Sequence, residues 1–134
     1  MIPYCQHDIR DGDRKAVSEV LASSRLTQGP AVPAFALALA MRASTRHAIA
    51  VSSGTSALQI VLSALGVGPG DEVIVPSLTF LATANAVLLC GATPVFADID
   101  RETLSLSPED VARKITPRTR GAILVHYAGH VGDL

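Results

Sequence analysis

The stretch AVSSGTSALQI, residues 50–60, decides the fold. It leaves a short apolar segment, passes through Ser52, Ser53, Gly54, Thr55 and Ser56, and enters a run in which Leu58, Val61, Leu62 and Leu65 recur every three or four residues. An apolar segment, a tight turn of small residues and then helical periodicity read as strand, turn, helix. The same order follows downstream, so the question is how far it repeats.

Outward from that stretch, HAIAVSSG is expected as the strand and TSALQIVLSALGV as the helix. Gly68, Pro69, Gly70 and Asp71 then turn the chain into a second strand, EVIVP. SLTFLATANAVLLCG reads as a loop and a helix ending at Gly91, and ATPVFADID as a third strand. Ser107 caps a further helix with Pro108 at its first position and Glu109 and Asp110 in its first turn. TPRTRGAILVHYAGH supplies a fourth strand. Strands alternating with helices through short turns predict an α/β fold with a mainly parallel sheet covered by helices on both faces.

Upstream, DGDRKAVSEVLASS predicts an amphipathic helix with Val17, Val20 and Leu21 on one side, capped by Asp11 or Asp13. PAFALALAMRAS predicts a second helix, with Val32, Phe35 and Leu39 as its buried stripe. Between them, SSRLTQGP reads either as a backbone free to reach a surface or partner, or as a plain connection. Residues 1–134 are expected as a single domain, an incomplete one. Residues 1–30 form its amino-terminal helix and loop segment, and residues 31–134 its main α/β portion.

Composition narrows the function classes. At 49% hydrophobic and 17% charged, the 134 residues suit a globular chain, and 11 basic against 12 acidic residues leave no footprint for nucleic acid or an anionic membrane. The longest apolar runs are too short to span a bilayer and the first residues lack a signal-peptide core, so a cytoplasmic location is expected. Cys5 and Cys90 are too few and too far apart for a disulfide framework or a zinc ribbon; Cys90 reads as a small core residue. His126 and His130 are four apart but follow a strand with Gly129 between them, so no metal site is expected. Asp98 and Asp100 sit at a strand exit, where acids satisfy turn amides.

The Ser52–Ser56 turn admits two readings. A helix N-terminus gathers unpaired amides and the positive end of the helix dipole, and Gly54 lets a ligand approach the backbone, which makes a phosphate cradle. Equally, Ser53 or Thr55 could simply cap the helix. The three-glycine dinucleotide fingerprint and the Gly-Lys-Ser/Thr of a P-loop are both absent, so any phosphate here belongs to another class. Phe80 follows a strand's end on the same side of a parallel sheet and could stack on a planar ring or lie in the core.

TQGPAVPAFALALA, HAIAVSSGTSAL, GPGDEVIVPSLTFLATANAVLLCGATPVFADID and ITPRTRGAILVHYAG, in that order and over nearly the entire chain, resemble the amino-terminal part of the DegT/DnrJ/StrS sugar aminotransferases. MIPYCQHDI and SRLTQGP make the chain especially similar to the subgroup of UDP-4-amino-4,6-dideoxy-N-acetyl-beta-L-altrosamine transaminases, which serve pseudaminic acid synthesis. The resemblance implies the large domain of a fold type I pyridoxal 5'-phosphate enzyme, acting as a homodimer on a UDP-4-keto-6-deoxy sugar with glutamate as the amino donor. It implies that Ser53, Gly54 and Thr55 hold the cofactor phosphate and that Phe80 stacks on its ring. Tyr4, Ser24, Arg25, Leu26 and Thr27 match positions that contact the nucleotide-sugar.

The family's Schiff-base lysine and the aspartate that pairs with the pyridinium nitrogen find no match here. Lys15 and Lys114 are the only lysines, and neither falls in the corresponding segment. No catalytic residue is therefore assigned within these 134 residues, and taken alone they are expected to be inactive. Two alternatives stand beside this reading: a pyridoxal-phosphate sugar dehydratase of the same family, and a non-catalytic domain that binds a phosphate or a protein through SSGTS.

Overall fold

The computed structural model describes residues 6–132, which fall into two compact units, one ending at Ala50 and the other beginning at Val51. The boundary lies after the second helix, which was expected to belong with the α/β portion.

The first unit consists of helix α1 (Asp11–Leu21) and helix α2 (Ala31–Arg42). The N-cap of α1 is Arg10 rather than an aspartate: Asp13, in the first turn, accepts the Arg10 amide at 2.8 Å, which is the returning half of a capping box. Arg42 lies in the last turn of α2, where a cation suits the helix dipole. The expected buried stripe on α2 is not found, because Val32, Phe35 and Leu39 are exposed and Ala40 alone is buried. Apolar residues surround this helix on nearly every side, the pattern of a helix that needs partners in more than one direction.

The second unit opens with an extended segment and helix α3 (Gly54–Ala64). The strand expected over HAIAVSSG is not formed, since residues 47–53 join no ladder. Extended backbone becomes a strand only with a partner, and among the described residues this segment pairs with none of the three strands. Three strands follow: β1 (Glu72–Pro76), β2 (Thr93–Ala97) and β3 (Thr119–Ala122), with helix α4 (Ala82–Leu89) after β1 and helix α5 (Pro108–Lys114) after β2. They form one parallel sheet in the order β2-β1-β3, with Ile74 opposite both Val95 and Ala122.

The placement of the helices follows from the chain's path. The step from β1 to β2 and the step from β2 to β3 run in opposite directions across the sheet, so crossovers of one hand put α4 and α5 on opposite faces. On one face Val73 and Val75 pack with Leu62 of α3 and with Ala84, Ala86 and Val87 of α4; on the other, Ile74 packs with Ala97, Leu106 and Val111 of α5. β1 is buried along its entire length, as a central strand covered on both sides must be. Cys90 packs at the edge of the first cluster, in the core role read from its neighbours. Gly91, at φ +77°, ends α4 in the left-handed conformation that a helix C-terminus favours.

At the amino edge of the sheet, the carboxylate of Glu72 accepts the Thr116 hydroxyl at 2.5 Å and the Arg118 guanidinium. These hydrogen bonds, Thr116 first, hold its carboxyl below the usual carboxylate range. They also tie β1 to β3 where the register shifts between Glu72 and Val73.

Candidate functional site

Parallel strands deliver their carboxyl ends to one edge, and the loop Ser77–Leu81 leaves β1 there on its way to α4. The Ser77 amide donates to the Ala97 carbonyl at 2.9 Å, continuing the ladder one residue past the strand. Beyond it a cleft of about 550 Å³ is lined by Gly54, Thr55, Ala57, Leu58 and Val61 of α3, by Phe80, and by Ala82 and Thr83 of α4. The two stretches singled out in the sequence, SSGTS and SLTFLATANA, therefore meet.

The serine-rich turn divides its labour. Ser53 is the N-cap of α3, its hydroxyl oxygen accepting the Ser56 amide at 3.1 Å while its carbonyl takes the Ala57 amide at 3.0 Å. The Ser52 and Ser53 hydroxyls both lie within hydrogen-bonding distance of the Ser56 hydroxyl. Among the described residues, nothing accepts the amides of Gly54 and Thr55. The capping and anion readings are thus compatible, because the cap uses one donor and leaves two others at the positive end of the helix. A Cβ placed on Gly54 would meet nothing within 4 Å, so the glycine leaves open space there. No acid lies in the first turn of α3, and no charged side chain lines the cleft among the described residues.

Phe80 is 80% exposed and belongs to neither hydrophobic cluster of the described residues. A phenyl ring left in water beside an apolar wall of Leu58 and Val61 is a surface prepared for a flat apolar partner. A planar ring carrying a phosphate fits this pair of features: free amides for the anion and an open aromatic face for the ring.

The remaining expected residues are placed as follows. Ser24, Arg25, Leu26 and Thr27 form the bend between α1 and α2 in the first unit. Arg25 and Leu26 line a groove of about 460 Å³ with Ala16, Glu19 and Val20 of α1 and residues 29–32; Ser24 and Thr27 are exposed and do not line it. Gly29 is required there, since a Cβ would stand 2.7 Å from the Arg25 carbonyl oxygen. Tyr4 and Cys5 lie outside the described residues. Lys15 lies within 3.9 Å of Glu19 on α1, and Lys114 lies at the end of α5; neither lines the cleft.

The acids read as turn residues behave as such. Asp100 accepts the amides of Glu102 and Thr103, each at 2.9 Å, and these bonds hold its carboxyl below its usual range. His126 and His130 flank a 3₁₀ turn (Tyr127–Gly129), and no cluster of three or more metal-binding side chains exists among the described residues. Sequence reasoning missed Thr83, whose only signal was its position one helical turn after Thr79. It also missed the apolar wall of Leu58 and Val61, which were read only as marks of helical periodicity.

A model of the DegT/DnrJ/EryC1/StrS aminotransferase family matches residues 7–134. The chain belongs to this family. Three solved structures show the likeness in space. S. venezuelae DesV, solved in complex with a ketimine intermediate, is 45% identical over 90% of this chain and 32% of its own, with a TM-score of 0.85. Spr1654 from Streptococcus pneumoniae, in its PLP form, is 36% identical over 98% of this chain and 34% of its own, with a TM-score of 0.92. NtdA from Bacillus subtilis, with bound cofactor PMP, is 41% identical over 90% of this chain and 28% of its own, with a TM-score of 0.84. The chain thus spans about a third of the length of the structures it matches. Its α/β arrangement is that of the fold type I pyridoxal-phosphate transferases in this family.

Proposed function

We propose that the cleft binds pyridoxal 5'-phosphate, with the phosphate on the Gly54 and Thr55 amides and the ring on Phe80, in an aminotransferase acting on a sugar. The observation that carries this reading is the meeting of two unclaimed amides and an exposed aromatic ring in one uncharged cleft. The cofactor supplies the electron sink that lets an amino group move between two carbon skeletons. The chain's own residues supply binding and orientation. Ser53 fixes the helix end so that the two amides stay directed outward, the helix dipole favours the phosphate's charge, and Leu58 and Val61 exclude water beneath the ring.

The finer reading places glutamate as amino donor and a UDP-4-keto-6-deoxy sugar as acceptor, in the altrosamine transaminase subgroup of pseudaminic acid synthesis. Tyr4, Ser24, Arg25, Leu26 and Thr27 contact the nucleotide-sugar, with Arg25 supplying a cation for its phosphates. The protein works as a cytoplasmic homodimer; no helix among the described residues is long and apolar enough to cross a membrane. Neither lysine reaches the cleft, so these 134 residues alone bind the cofactor without a covalent link and do not turn over.

Titration with pyridoxal phosphate and with pyridoxal, followed by absorbance, tests the phosphate assignment. Gly54→Val places methyls in the open space beside the two amides and should abolish the preference for the phosphorylated form. Thr55→Ala should weaken phosphate binding only to the extent that its hydroxyl joins its amide. Unchanged discrimination in the Gly54→Val protein overturns the phosphate role of this turn.

A further inference from the structure

The turn that presents Phe80 is tied twice to the start of α4, and both ties end on Thr83. The Thr83 amide donates to the Phe80 carbonyl at 3.0 Å, and the Thr83 hydroxyl pairs with that of Thr79 at 2.7 Å. The two bonds bracket Phe80, one on its own carbonyl and one on the residue before it. On the strand side the turn is anchored by the Ser77 amide on the Ala97 carbonyl. Only the Thr79–Thr83 link is made by side chains on both sides, so it alone can be removed without disturbing the backbone pattern.

The open position of Phe80 is one that such a restraint would favour. A phenyl ring that is 80% exposed would gain by folding down onto the apolar wall of Leu58 and Val61, closing the cleft. Thr83 is 5% exposed and lines that cleft, so its hydroxyl is shielded from competing water and the pair with Thr79 is the partner it finds. The arrangement is an internal clasp closed over the three residues between its two hydroxyls, of which Phe80 is the one that lines the cleft with its ring.

We infer that Thr83 is a positioning residue: through its hydroxyl pair with Thr79 it holds the turn that keeps Phe80 open in the cleft shared with Gly54 and Thr55. This rests on the reading of that cleft as the cofactor site. Thr83→Val matches threonine in shape and lacks the hydroxyl, Thr83→Ser keeps the hydroxyl, and Thr79→Val removes the same pair from its other end. In the full-length protein, the dissociation constant for pyridoxal phosphate and the melting temperature are measured for each, alone and with Phe80→Leu.

Thr83→Val and Thr79→Val are each expected to weaken binding by up to about tenfold, the scale of one net hydrogen bond, and Thr83→Ser to restore it. Both effects should vanish in the Phe80→Leu background, since a clasp acts only through what it clasps. Wild-type affinity in Thr83→Val and Thr79→Val, with Phe80→Leu weakened, overturns the inference and leaves the cofactor site standing. A loss that persists undiminished alongside Phe80→Leu, or that tracks the melting temperature alone, also overturns it. Wild-type affinity in Phe80→Leu removes the stacking reading itself, and this inference with it.

Discussion

Asp110, in the first turn of α5, reaches back to the end of β2 and accepts the Asp98 amide on its Oδ2 at 2.6 Å. Its other oxygen takes the Arg113 guanidinium at 2.8 Å, so a buried carboxylate joins strand, helix and surface. The Asp98 amide first and Arg113 second hold this carboxyl below its usual range. A carboxyl whose folded pKa is depressed contributes stability above its unfolded value, about 4, and loses it as pH falls through the folded value. Asp110→Asn should therefore be less stable than the wild type at pH 7 in urea unfolding, with the gap narrowing as the pH is taken well below 4. A gap that is constant with pH would show that the charge is not what matters.

Ser53 and Gly54 are neighbours with separable jobs. Ser53→Ala removes the hydroxyl that accepts the Ser56 amide and should cost about 1 kcal/mol of stability in denaturant titration. Gly54→Val should change stability little, because the added atoms project into open space, while eliminating anion binding. The same pair of measurements on both variants checks whether the cap and the cradle are distinct.

Gly29 has no room for a methyl. Gly29→Ala puts a carbon against the Arg25 carbonyl oxygen, which is backbone and cannot swing aside. The bend carrying Arg25 and Leu26 should shift, at a cost of about 1–3 kcal/mol, and limited proteolysis should cut it faster. On the nucleotide-sugar reading of that bend, KM for the sugar, measured in the full-length protein, should rise with kcat nearly unchanged.

Ile74 sits at the centre of the middle strand, essentially without exposure, facing Leu106 and Ala97. Ile74→Ala should cost about 2–5 kcal/mol and Ile74→Val about 0.5–1.5 kcal/mol, read from shifts of the urea midpoint at constant slope.

The α/β alternation and the Ser107–Pro108 helix start were legible because they depend on local pattern: Ser107 does accept the Asp110 amide, as its place before a proline suggests. The missing strand over residues 47–53 was not legible, because its residues are apolar enough for a strand and pairing, which a local pattern does not reveal, decides whether extended backbone becomes one. Phe80 posed the same difficulty. An aromatic residue after a strand looks alike whether it turns inward or outward, and the clasp that keeps it out joins residues whose meeting only the folded turn reveals. The grip of Asp110 on Asp98 was hidden for a related reason, since first-turn acids favour the helix dipole wherever they point.

The strand that leads into the Phe80 loop is also the one with neighbours on both edges and helices over both faces. Its amides at Val73, Ile74 and Val75 should be among the last in this unit to exchange with deuterated solvent, opening only when the unit as a whole unfolds. The aromatic wall of the cleft is thus hinged to the slowest-breathing part of this unit, so whatever mobility it has must arise in the three residues between Pro76 and Phe80.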